Sequence, residues 1–169
     1  PHNTSNAESS FTEANGFHEA IRTLTSNLSL EMVLQQVADL SRDLVSATYS
    51  ALGILGADNS LVQFITSGMS QADRDKIGDA PRGHGILGVV LKEGQSLRLH
   101  DLNQHPMSEG FPANHPTMRS FLGVPITFKG EVLGNLYLTD KIGAEDFSPE
   151  DENIVTLFAA QAAVAIENA

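Results

Sequence analysis

The sequence predicts an α+β fold: one antiparallel sheet with N- and C-terminal helices packed on one face. Two observations lead there. Long helical periodicity is confined to the two ends of the chain, and the middle alternates β-rich runs with glycine-bearing turns. The resulting order is helix, strands, short helices, strands, helix.

The elements follow in order. Residues 1–10, rich in Asn and Ser, read as disordered or as an expression remnant, and residues 11–169 as a single domain. A first helix is expected from about Phe11 to Leu24, weakened by Gly16. The next is clearer: Leu30, Val33, Leu34, Val37, Leu40 and Leu44 recur at helical spacing, with Ser29 as candidate N-cap. Tyr49–Leu55 and Leu61–Thr66 read as a hairpin around the turn Gly56–Ser60. Gln71–Ile77 is expected to be a short polar helix and Ile86–Lys92 a short apolar one. Leu97–Leu102 is a third strand, followed by the loop Asn103–Met118 with prolines at 106, 112 and 116. Phe121–Phe128 and Val132–Thr139 form a second hairpin through a three-residue turn, Lys129-Gly130-Glu131. Ser148–Asn168 is the last helix. Ser148 is its N-cap, Pro149 stands at N1, and Glu150, Asp151 and Glu152 sit where the helix dipole favours acids. Its core face is expected from Ile154, Leu157, Phe158, Val164 and Ile166.

Composition limits the chemistry. The 169 residues carry a net charge of −11, which opposes an electrostatic hold on nucleic acid or an anionic membrane. No apolar run approaches the roughly 20 residues of a spanning helix, and no signal peptide is visible, so a cytoplasmic setting is expected. The absence of cysteine excludes disulfides, thiolate metal sites and thioether-linked cofactors. A start at Pro1 and a helical pattern running to Ala169 suggest a piece of a longer protein.

The chemistry concentrates in two stretches: His115 to Pro125 and Gly134 to Lys141. His115 ends a loop just before an apolar strand, with its backbone restricted by Pro116. Tyr137 follows 22 residues later within another apolar strand. Adjacent antiparallel strands would bring the two together. An imidazole and a phenol around one apolar space are what a gas-sensing haem pocket needs: a nitrogen ligand for iron and a hydrogen-bond donor for a diatomic. Met118, Phe121 and Leu122 would supply apolar surface to a porphyrin. Alternation places Asn135, Tyr137 and Thr139 on one, more polar, strand face. His105 has more polar surroundings, and His100-Asp101 lacks the company of a compact metal site.

The pattern resembles a GAF domain over nearly the whole chain after about residue 25. Asp140-Lys141 through Phe147, then Asp151-Glu152, is similar to the asparagine–lysine–phenylalanine–acid signature of many such domains, with Asp140 in place of the asparagine. Gly110-Phe111-Pro112, His115-Pro116, Met118-Arg119, Phe121–Pro125 and Gly134–Lys141 look like the haem-binding first GAF domain of the mycobacterial dormancy-type oxygen-sensing histidine kinases. That resemblance implies haem b, with His115 as the iron ligand and Tyr137 as the distal hydrogen-bond donor. It also places Gly53 at the haem edge and Phe64 as an aromatic packing residue. Thr117 replaces the family's second proline after the ligand.

The implied function is sensing of O2, CO and NO as the input domain of a two-component sensor histidine kinase. Any enzyme activity would lie in the rest of the parent chain, which would form a homodimer through the terminal helices. Two other readings stay open: a cyclic-nucleotide-binding module, fed by the 140–152 signature, and a ligand-free dimerisation domain, fed by the alanine-rich last helix.

Overall fold

The computed structural model describes residues 29–58, 60–70, 85–104 and 118–169. The expected helices Phe11–Leu24 and Gln71–Ile77, and most of the loop 103–118, lie outside these residues. A helix through 29–44 (α1) leads into strands β1 (Ala47–Leu55) and β2 (Leu61–Ser67). Helix α2 (Gly85–Glu93), the short strand β3 (Leu97–Leu99) and a single 3-10 turn at Leu102–Gln104 follow. Strands β4 (Phe121–Phe128) and β5 (Glu131–Lys141) precede the last helix, α3 (Pro149–Glu167).

The five strands form one antiparallel sheet in the order β2-β1-β5-β4-β3. β5 lies at its centre between β1 and β4, and β1 and β5 are buried on both faces over most of their length. The sheet therefore separates two cores. On the helix side, Leu52, Ile54, Leu122, Val124, Ile126, Leu136 and Leu138 meet Leu34, Val37 and Ala38 of α1 and Val155, Ala159, Ala162 and Ala163 of α3. Small alanines let the last helix approach the strands closely. On the opposite face Tyr49, Ala51, Val90, Leu102, Met118, Phe121 and Tyr137 form a second cluster. Among the described residues no helix is long and apolar enough to cross a membrane.

The expected α+β architecture, with the described terminal helices on one face, is what the molecule adopts. Three local expectations are corrected. The β4–β5 connection is a two-residue turn, because Phe128 pairs directly with Glu131. Lys129 (φ 49°) and Gly130 (φ 83°) both take the left-handed conformation that a tight type I′ hairpin turn requires. β3 stops at Leu99, and Leu102 belongs to the 3-10 turn. The helix stripes are also displaced. Val33, Leu40 and Leu44 on α1, and Leu157 and Val164 on α3, are exposed, while Val155 and three alanines are the buried α3 contact, with the expected Ile154, Phe158 and Ile166 packed half-buried beside them. Hydropathy alone ranks leucine above alanine, but the close helix–sheet approach selects the smaller side chain.

Candidate functional site

The face opposite the terminal helices is laid out by strand register. Tyr49 pairs with Thr139, Ala51 with Tyr137 and Gly53 with Asn135 across β1 and β5. On the other side, Phe121 pairs with Thr139, Gly123 with Tyr137 and Pro125 with Asn135. Directly paired residues share a face. Phe64, paired with Gly53, extends the face over β2, and Leu97 and Leu99 extend it over β3. Tyr137 thus stands at the centre, flanked by the two smallest neighbours available, Ala51 and Gly123.

Aromatic rings wall it in. The Tyr137 ring centroid lies 5.9 Å from Phe121, 6.1 Å from Tyr49 and 6.5 Å from Phe64. Phe121 leans over Gly123, where a Cβ would come 2.7 Å from its ring carbons, so a side chain at 123 would displace that wall. Burial pushes the Tyr137 phenol well above 10, and a hydrogen bond with the Tyr49 phenol raises it further. Tyr137 is therefore a neutral hydroxyl throughout the working pH range. The paired positions from Tyr49 to Gly53 on β1, Asn135 to Thr139 on β5 and Phe121 to Pro125 on β4 that share this face carry no charged side chain. Asn135 and Thr139 stand on either side of Tyr137 along β5, both 1% exposed. Among the described residues, neither amide atom of Asn135 nor the Thr139 hydroxyl finds a hydrogen-bond partner.

Gly53, Phe64, Met118, Phe121 and Tyr137, each named from the sequence, gather on this face. Leu122 does not: it points into the helix-side core, fully buried against α1 and α3, and is corrected to a structural residue. Alternation dictates this, since Leu122 follows Phe121 directly in a strand. His115 and His105 lie outside the described residues. His100 pairs with Asp146, its Nδ1 2.6 Å from the carboxylate, rather than with Asp101. Among the described residues no group of three His, Asp or Glu side chains could hold a metal ion. Tyr49 is the participant that the sequence reading missed. Its signal was its parity with Gly53, but its place beside Tyr137 depends on pairing between strands distant in sequence.

The Asp140-Lys141 signature has a structural explanation. Asp140 is left-handed (φ 59°), a conformation in which Asp and Asn are enriched. Its carboxylate accepts a hydrogen bond from the Arg119 backbone N–H (2.8 Å), and its own N–H donates to Ser120 O (2.9 Å). Lys141 Nζ donates to Val45 O at the end of α1 (2.6 Å) and pairs with Asp151 Oδ2 (3.0 Å). Asp151 in turn closes a capping box with Ser148 at the start of α3. One short segment thus fastens the residues just before β4, the sheet and both terminal helices.

Comparison with known proteins accords with this architecture. The GAF domain family model matches residues 27–167. A GAF domain/HD domain protein from Geobacter sulfurreducens superposes with a TM-score of 0.69 at 18% identity, over 82% of this chain and 92% of that one. The GAF domain of a phosphoenolpyruvate-protein phosphotransferase from Coxiella burnetii gives 0.63 at 23% identity, over 86% and 94%. The second GAF domain of DevS from Mycobacterium smegmatis gives 0.59 at 22% identity, over 82% and 93%. At these identities the structural likeness establishes the fold, while the family match covers most of the sequence. The chain belongs to the GAF domain family of signal-transduction modules.

Proposed function

We propose that this domain is a haem-b gas-sensing module for O2, CO and NO, the input domain of a two-component sensor histidine kinase. The observation that carries the reading is Tyr137: a buried, neutral phenol centred on an aromatic sheet face whose paired strand positions carry no charge. The residues present suit a flat apolar cofactor. Phe64, Met118 and Phe121 would pack against it, and Gly53 would leave its edge open. By the resemblance, His115 would be the iron ligand. When bound, haem supplies a ferrous iron that can take a diatomic gas. Tyr137, turning its one O–H from Tyr49 to the gas, would offer it a hydrogen bond, and the aromatic walls would exclude bulk water. The change reaches the terminal helices through β5 and the Asp140–Lys141–Asp151 connection. Gas binding acts as a signal only if it favours one of two conformations of that connection.

The same face weighs against a cyclic nucleotide, because no cation stands on its strand positions to meet a phosphate. Exposed Leu40, Leu44, Leu157 and Val164 suit a homodimer formed through the terminal helices of the parent protein.

The test is spectroscopic. The purified domain should show a Soret band that shifts with CO, and His115→Ala should lose haem or hold it loosely, while His100→Ala retains it. Tyr137→Phe should speed oxygen dissociation by about 0.5–3 kcal/mol of lost hydrogen bonding, and CO dissociation less. Full haem content in His115→Ala would overturn the ligand assignment. Equal effects on the two gases would overturn the role of Tyr137.

A further inference from the structure

Burying an amide without partners is costly, by about 1–3 kcal/mol for a group left unsatisfied. Proteins rarely accept this in a close-packed strand, and each instance calls for an explanation. Asn135 is such an instance twice over, because both its Oδ1 and its Nδ2 are orphaned. Thr139 adds an orphaned hydroxyl two positions beyond Tyr137 on the same strand face. Ser50 has an orphaned hydroxyl too, but on the helix-side face, so one hydroxyl alone decides little. The pattern is what matters: three consecutive inward positions of β5 are Asn, Tyr and Thr, where the inward positions on its other face are Leu136 and Leu138.

The neighbours of Asn135 leave it open. Its partner on β4 is Pro125 and its partner on β1 is Gly53. A Cβ at Gly53 would lie 3.0 Å from Asn135 Oδ1 and 2.9 Å from the tip of Leu61, so any side chain at 53 would press on the amide. Gly53 is thus the residue that lets the amide keep its place.

We infer that Asn135, assisted by Thr139, is a second hydrogen-bonding and specificity-determining group of the Tyr137 site, serving a small neutral ligand. An amide offers one acceptor and two donors, which suits a polar uncharged ligand or the water it carries. An ion would be badly served by the sheet face itself, which among the described residues provides no countercharge. Asn135 and Tyr137 are two residues apart on one strand, about 6.6–6.8 Å, a span that a small ligand with one bound water covers. In the haem reading, on which this assignment rests, Asn135 holds a water or the gas from the side opposite Thr139. The phenol is then one member of a polar row rather than the sole donor.

Two conservative variants test this. Asn135→Leu keeps the branched four-atom shape with somewhat more bulk, and Thr139→Val is close to isosteric. With haem content unchanged, Asn135→Leu should speed oxygen dissociation about fivefold, the equivalent of one net hydrogen bond of about 1 kcal/mol. CO dissociation should change less than twofold. In haem-free protein, both variants should melt no lower than the wild type, because orphaned polar atoms are removed. Unchanged oxygen and CO rates in Asn135→Leu would overturn the inference. So would a lower melting temperature of haem-free Thr139→Val, which would show that its hydroxyl is satisfied in the fold. If the wild type takes up no haem, the haem reading fails separately. The melting comparison then decides for Asn135 and Thr139 alone: equal or higher values support an orphaned polar row, and lower values end it.

Discussion

The His100–Asp146 pair joins the end of β3 to the segment before α3 on the open surface. The Asp146 carboxylate, by hydrogen bond and by charge, raises the His100 imidazole above its ordinary value of 6.5. The proton is therefore held more tightly in the folded state. The stabilisation is complete below about pH 6.5 and is lost as pH rises through the raised folded value. Asp146→Asn should lower the urea midpoint at pH 5.5 and leave it unchanged at pH 9; the same loss at both would show that the pair acts through packing. At this scale the site was partly legible in the sequence. Parity along β5 placed Asn135, Tyr137 and Thr139 together, and the same rule, applied to β4, separates Leu122 from Phe121. The missing step was Tyr49, since cross-strand partners depend on a register that distant parts of the chain settle together.

Helix and strand boundaries were legible where local chemistry fixes them. Ser148-Pro149 starts α3 because a hydroxyl cap and a residue with no N–H suit the first turn whatever lies around it. The helix faces were less legible, because burial of Leu157 or Ala159 depends on how closely α3 approaches the sheet. Among connections between elements, Lys141 is the one whose loss should be felt most. Its ammonium is the partner of both Val45 O and Asp151, and the Lys141 and Asp151 side chains are only 16% and 10% exposed. Lys141→Met keeps the stem and deletes the charge. It should cost about 3–5 kcal/mol in urea unfolding, as expected for breaking a largely buried pair. A cost near the 0–1 kcal/mol of a surface ion pair would show that the α3 cap stands without it.

For the molecule as a whole, the consequential feature is that the central strand, β5, is flanked by one strand next to it in sequence and one from far up the chain. β4 and β5 are joined by a two-residue turn, whereas Ser50 of β1 pairs with Leu138 of β5, 88 positions away. Loop closure over that distance costs on the order of 3 kcal/mol more than closing the turn, at roughly 0.6 kcal/mol per doubling. The β4–β5 hairpin should therefore form early in folding and the β1–β5 seam late. Half the Tyr137 surroundings, Phe121 and Gly123, are then in place before the transition state, while Tyr49, Ala51 and Gly53 dock after it. A ligand that touches both halves finds its full site only on the native side of the barrier. It should act as a kinetic clamp, slowing unfolding while leaving the refolding rate nearly unchanged. Stopped-flow refolding and unfolding with and without bound haem and CO would measure this, and a ligand-accelerated refolding arm would mean that the β1–β5 seam closes first.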